Sequence, residues 1–230
     1  MKQTNNTAPK TLDELALKPS TRALLQQIVC GRLQVGTGGK NGLLLHGAAG
    51  TGKSTTARLL PTLLEPALLA LEQQYAAGGF FPYPGIMKYE ASCGIGCNGN
   101  NKGITLANTI TTHLAHGMRG ESVFAYIILD EVDDAGKDFL ASLRGLMDTL
   151  SHVVWIFTTN HIAKLDNPLI DRCYALDFGD AGLEQWVVRC NQILEAHNKQ
   201  AISATDVAIL HGSSNGSARN IISILQARYL

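Results

Sequence analysis

Apolar and polar positions along the chain alternate between two kinds of segment. Five stretches read as strands: Leu43-Leu44-Leu45, Ile86 to Ser92, Val123 to Leu129, Val153 to Phe157, and Tyr174 to Phe178. The runs at 123–129 and 153–157 are continuously apolar, the pattern of a strand covered by helices on both faces. Helical stretches fall between them: Ser20 to Leu33, Thr55 to Leu60, Ala67 to Ala77, Thr105 to His116 and Asp138 to Leu150. The last carries Phe139, Leu143, Leu146 and Leu150 on one face, as an amphipathic helix does. Proline cannot donate to the helix ladder, so Pro61 should interrupt the pattern or begin another turn. The turn Gly179-Asp180-Ala181-Gly182 closes this unit, and from Leu183 onward every segment reads as helix. Strands alternating with helices, then an all-helical tail, predict a central parallel sheet flanked by helices with a small helical lid. The expected boundaries are a flexible lead at 1–10, an α/β nucleotide-binding domain at 11–178 and a lid at 179–230.

Composition narrows the function classes. Apolar residues make up 45% of the 230 and charged residues 17%, enough for a substantial core. The formal net charge of +0 argues against coating nucleic acid by bulk charge, while leaving a local basic stripe open. Cys30, Cys93, Cys97, Cys173 and Cys190 are odd in number and widely spread. They read as reduced thiols rather than a disulfide framework. The polar start Met1 to Thr7 has no signal-peptide core. No apolar run approaches the ~20 residues needed to span a bilayer. The expected location is the cytoplasm, with no membrane partner.

The chemistry begins at residue 47. Gly47-Ala48-Ala49-Gly50-Thr51-Gly52-Lys53-Ser54 fits the phosphate-binding pattern G-x-x-x-x-G-K-[ST], and Thr55 opens the following helix. The glycines let backbone N–H groups turn inward around phosphate oxygens, and the helix N-terminus adds positive potential. Lys53 is placed to reach the β- and γ-phosphates, and the Ser54 hydroxyl to ligate Mg²⁺. The expected ligands are ATP and Mg²⁺.

Further strand ends extend this site. The apolar strand 123–129 runs into Asp130-Glu131, a carboxylate pair at the sheet edge where open α/β folds bind ligands. Asp130 is the second metal candidate, and Glu131 is placed to polarise a water against the γ-phosphate. The strand 153–157 ends in Thr158-Thr159-Asn160, whose asparagine can bond both that water and a phosphate oxygen. Arg172 follows in Pro168-Leu169-Ile170-Asp171-Arg172-Cys173, and Arg219 opens the final helix in Gly216-Ser217-Ala218-Arg219.

This order, P-loop, strand-terminal Asp-Glu, strand-terminal Thr-Asn, Arg after Pro and Arg at a lid helix, resembles the AAA+ ATPases. In detail it looks most like the small motor subunits of sliding-clamp loaders. Pro9 to Leu15 resembles their lead-in segment, Leu129 to Asp133 their extended Asp-Glu motif, and Phe157 to Asn160 their sensor-1 strand. The resemblance implies a ring or spiral of like or unlike subunits with ATP at each interface, working on DNA with a replication or recombination protein. It implies that Glu131 and Asn160 serve hydrolysis, that Arg172 reaches a neighbour's γ-phosphate, and that Arg219 senses nucleotide in its own subunit. By the same analogy Thr11 and Leu12 lie near the adenine.

Three departures shift weight toward compact AAA+ proteins, such as helicase loaders or transposition regulators that remodel a protein partner. The chain stops at Leu230 with no room for the clamp loaders' collar domain. Asp171 stands where they carry serine, and Glu90-Ala91-Ser92 where they carry Asn-Ala-Ser. Elsewhere, Cys93, Cys97, His113 and His116 faintly resemble a zinc set, but their spacing is outside the usual C₂H₂ ranges. Free thiols and partly exposed histidines are the reading we favour. Lys102, Arg119, Lys137 and Arg144 are candidates for DNA phosphates, and Phe80-Phe81-Pro82-Tyr83 for partner docking or loop packing.

Overall fold

The computed structural model describes residues 7–35, 39–75, 87–93, 108, 112, 125–150 and 153–230. Its centre is a five-stranded sheet: β1 (Gly42–His46), β2 (Met87–Ser92), β3 (Ala125–Asp130), β4 (Val153–Thr159) and β5 (Cys173–Asp177). The spatial order is β2-β3-β4-β1-β5 and every pairing is parallel. Parallel neighbours require crossovers, and among the described residues helices lie between β1 and β2, between β3 and β4, and between β4 and β5. The expected parallel α/β core is therefore the observed one.

Side-chain alternation explains why the central strands read as continuous apolar runs. On β3, Ala125, Ile127 and Leu129 join Phe139, Leu143 and Met147 of α3 (Lys137–Thr149) on one face. Tyr126 and Ile128 face the other way, with Leu25 and Ile28 of α1 (Pro19–Val29) and Leu60 and Leu64 of α2 (Lys53–Tyr75). Both faces being covered, neither set of alternate positions is polar. Tyr126 keeps its hydroxyl satisfied by donating to Glu65 at 2.5 Å, which ties α2 to β3.

Two local expectations change. Helix α1 stops at Val29 rather than Leu33, because Gly31 takes a positive φ of 72° and its N–H bonds the Ile28 carbonyl. That is a helix-ending turn, for which glycine is suited. More notably, the helix after the P-loop runs unbroken from Lys53 to Tyr75 with Pro61 and Pro66 inside it. Each proline deletes one ladder hydrogen bond. Burial of Ala57, Leu60 and Leu64 against the sheet keeps the axis going, so tertiary packing overrides the local breaker.

Past the short helix α4 (Asn167–Asp171) and β5, α5 (Leu183–Ala196), α6 (Ala204–Ser213) and α7 (Ala218–Tyr229) enclose a third apolar cluster of their own. Trp186, Cys190, Ile193, Val207, Leu210, Ile221 and Leu225 fill it. The Ser203 and Ser217 hydroxyls cap α6 and α7 by accepting from the N–H groups of Asp206 and Asn220. A separate core accounts for the helical tail as its own layer. It docks on the α/β unit through the backbone: the Arg219 N–H donates to the Gly50 carbonyl at 3.0 Å. No helix among the described residues is long and apolar enough to cross a membrane.

His46 closes β1 and connects stability to pH. Burial lowers its pKa, Asp177 opposes this, and Lys18 and Lys53 reinforce it. The folded value thus lies below the unfolded ~6.5, and protonation favours the unfolded chain. Its stabilising contribution is whole above pH ~6.5 and is lost as pH falls through that value toward the folded pKa. The urea midpoint should decline between pH 7 and 5.5, and His46→Gln should flatten that decline. An identical pH profile in the variant would refute the assignment. Asp177, held low chiefly by the Lys18 hydrogen bond, acts in a separate, more acid window.

Candidate active site at the sheet's carboxyl edge

Strand register assembles the site. His46 of β1 lies beside Thr159 of β4, and Leu129 of β3 beside Phe157, so the loop after β1, Asp130 and Thr158 share one edge. The Ser54 hydroxyl donates to Asp130 Oδ1 at 2.8 Å. Thr158 donates its hydroxyl to the same oxygen and accepts from the Glu131 N–H at 3.0 Å. One hydroxyl and one carboxylate converge from α2 and β3. Hard oxygen donors of this kind, completed by water and phosphate, suit Mg²⁺.

The P-loop is shaped by close backbone approach. Gly47 has φ +144°, and a Cβ there would sit 2.7 Å from the Phe178 carbonyl carbon. Gly50 has φ +80°, and its Cβ would meet Ser217 Oγ of the lid at 2.6 Å. Neither position admits a side chain without displacement. Lys53, only 6% exposed, donates to the carbonyls of Gly47 and Ala48 at 2.9 and 2.7 Å. Burial lowers its pKa, while Asp130, Asp133 and Glu131 pull it back up. It is a desolvated cation curled against the carbonyls of its own loop.

Glu131 has φ 59° and ψ 51°, a left-handed conformation that a bulky residue rarely adopts. Strain of this sort collects at functional sites. Here it ends β3 and places Glu131 on the lining of a cavity of about 510 Å³. Gly50, Gly52, Lys53, Ser54, Asp130, Asn160 and Arg219 line the same cavity. Four elements far apart in sequence thus contribute as the motif order suggested.

Asp133 had no role assigned from sequence. Its carboxylate accepts the Thr159 hydroxyl at 2.8 Å and the Asn160 N–H at 3.2 Å, with its side chain 3% exposed. It fixes the turn that carries Asn160, coupling the loop after β3 to the end of β4. The only sequence hint was its place two residues beyond Asp130-Glu131.

Arg172 stands apart. It precedes Cys173, which pairs with Gly42 at the start of β1, so it lies at the edge of the sheet opposite the P-loop. At ~3.3 Å per strand residue it cannot reach the P-loop of the same chain. Its Nε and one terminal nitrogen donate to the two Asp148 oxygens at 2.8 Å each, and the other nitrogen to the Pro168 carbonyl at 2.8 Å.

Thr11 and Leu12 are not on the cavity lining. Thr11 precedes a short 3₁₀ turn, Leu12–Glu14, with its hydroxyl on Glu14 at 3.3 Å, and Leu12 packs on the core. The lead segment meets the cavity on either side of that turn, through Thr7 to Pro9 and Glu14 to Leu17. Glu90 is engaged by Arg58 of α2 at 2.5 Å. Arg144 is paired with Asp166, and Lys137 is exposed at the start of α3. Cys93 is buried. Lys102, Arg119, Cys97, His113, His116 and the 80–83 cluster lie outside the described residues.

No family model matches the chain. Nor does any curated protein match it in sequence. Solved structures do match in fold. One is Thermotoga maritima RuvB described as a Holliday junction branch migration motor, at 16% identity and TM-score 0.66. Single-residue variants of the same protein match at 16% identity and 0.66, and at 14% and 0.68. The chain shares their fold. In each case 96% of this chain is covered but only 64% of the other, so it spans less than two thirds of the RuvB chains.

Proposed function

We propose that the chain is an ATP-hydrolysing AAA+ motor that assembles as a ring or spiral on DNA in recombination or replication. One observation carries the reading: the P-loop, Ser54–Asp130 pair, strained Glu131 and Asp133-braced Asn160 converge on a single cavity. Lys53 and the loop N–H groups would hold the β- and γ-phosphates. Ser54 and Asp130 would hold Mg²⁺, which when bound neutralises phosphate charge. Glu131 would take a proton from the attacking water as its oxygen bonds to the γ-phosphorus, and the bond to ADP breaks. Asn160 would orient that water, and Arg219 would report the nucleotide to the lid. Glu131→Gln should leave ATP bound and cut turnover by about 10²-fold or more. Turnover near wild type in a purified, nucleotide-binding variant would remove Glu131 from the reaction.

The shared fold with a branch migration motor supports a DNA-translocating reading over clamp loading. A second reading, a helicase loader or transposition regulator that remodels a protein partner, is favoured by the zero net charge and by the engagement of Arg144 with Asp166. ATP turnover by the purified chain with and without primed DNA separates the two. Strong, salt-sensitive stimulation supports the DNA motor. Turnover indifferent to DNA supports the remodeller.

A further inference from the structure

The cavity has two chemically different ends. The P-loop, Asp130 and Asn160 make one. The other is walled by Ala8 and Pro9 of the lead segment, by Leu17, and by Trp186 and Ile222 of the lid. If phosphates occupy the first end, the nucleoside occupies the second.

One buried cation holds this second wall together. Arg189 of α5 is 6% exposed. A terminal nitrogen donates to the Thr7 carbonyl at 2.6 Å, across 182 residues of sequence, and the other lies 3.6 Å from the Glu14 carboxylate. Burying a guanidinium is costly unless its donors are matched, and an apolar side chain would fill the space without that cost. Its matched acceptors both lie in the lead segment. Two further lid side chains grip that segment: Gln226 donates to Thr7 Oγ1 and Gln192 to the Asp13 carbonyl, each at 3.4 Å. From the core side, Arg22 of α1 donates to the carbonyls of Leu12 and Leu15 at 3.0 and 2.5 Å. Residues 7–17 are therefore a strap gripped by the lid at Thr7, Asp13 and Glu14 and by the core at Leu12 and Leu15. Trp186 sits three residues before Arg189, on the same helix face. Its indole N–H is buried and has no hydrogen-bond partner among the described residues, so the ring meets the cavity with its apolar surface.

We propose that Arg189 is a positioning residue for nucleotide recognition, pinning Thr7 to Pro9 against the lid to build the wall on which the nucleoside rests. The inference depends on the cavity being the nucleotide site, and it adds a nucleoside contact on α5 to the nucleotide contact proposed for Arg219 on α7. Inorganic tripolyphosphate has only the phosphate half, so it should be blind to Arg189.

The test is calorimetric titration of Mg-ATP and of Mg-tripolyphosphate into the wild type, Arg189→Met and Glu14→Ala. Losing the strap should raise the ATP Kd about tenfold, while the tripolyphosphate Kd moves by less than about twofold. Glu14→Ala should do the same to a smaller degree; its side chain is 30% exposed, so it carries the test if Arg189→Met does not fold. Equal weakening of both ligands would reduce Arg189 to a prop for the lid, and unchanged ATP affinity would remove it altogether. Either result overturns the proposal while leaving the phosphate site standing. A wild type that binds neither ligand sinks the nucleotide reading itself, and this inference with it.

Discussion

Lys53→Ala should raise the ATP Kd by about 100-fold or more and abolish turnover. The size of this effect follows from where the ammonium sits. It is buried at the sheet edge and bonded to two carbonyls of the loop it would release on meeting phosphate. A charge already stripped of water meets a phosphate with little further desolvation cost, so its charge-assisted bonds are strong. The same burial makes a second, opposite expectation. Lys53 is held by neutral carbonyls at a cost in solvation, and burial lowers its pKa. Removing it should therefore leave thermal stability close to wild type. Binding lost with folding intact identifies a phosphate ligand; binding and folding lost together would mean that Lys53 is a structural residue.

Arg172→Ala should leave ATP affinity nearly unchanged and lower turnover by about 10³-fold or more. The dissociation of the two effects is the point. Arg172 lies at the sheet edge opposite the P-loop, so its loss should not weaken nucleotide binding within the same chain. Its side chain retains 30% exposure and Asp148 56%, so water and salt can reach and screen the pair. If subunits assemble as proposed, a neighbour's γ-phosphate would take the place of that carboxylate. The Asp148 fork holds the guanidinium in one orientation rather than letting it sample many rotamers. A fall in ATP affinity equal to the fall in rate would place Arg172 in its own subunit's site, against the geometry.

Much of this site could be read before any coordinates, because it lies at strand ends. An apolar run ending in Asp130-Glu131 and another ending in Thr158-Thr159-Asn160 announce their own position at the carboxyl edge of a parallel sheet, and the P-loop names the ligand class. Signals of that kind are local in sequence. The residues that escaped notice act across it. Asp133 braces Asn160 from 27 residues away, Asp148 holds Arg172 from 24, and Arg189 meets Thr7 from 182. No periodicity or spacing marks such partners. Arg189 is harder still, since an arginine on a helix usually reads as a solvated charge, and only the packed lid shows it buried. The error at Pro61 has the same root. Proline's local cost is fixed, but the gain from laying Ala57, Leu60 and Leu64 on the sheet appears only in the folded chain.

Mixing Lys53→Ala with Arg172→Ala tests the central claim most directly. The first variant keeps the arginine but cannot bind ATP; the second binds ATP but offers its neighbour no arginine. If ATP is cleaved between subunits, each alone should be inactive and the mixture should recover turnover, because a Lys53→Ala subunit lends Arg172 to the intact site beside it. A mixture that co-assembles yet stays as inactive as its parts would contradict catalysis shared across an interface.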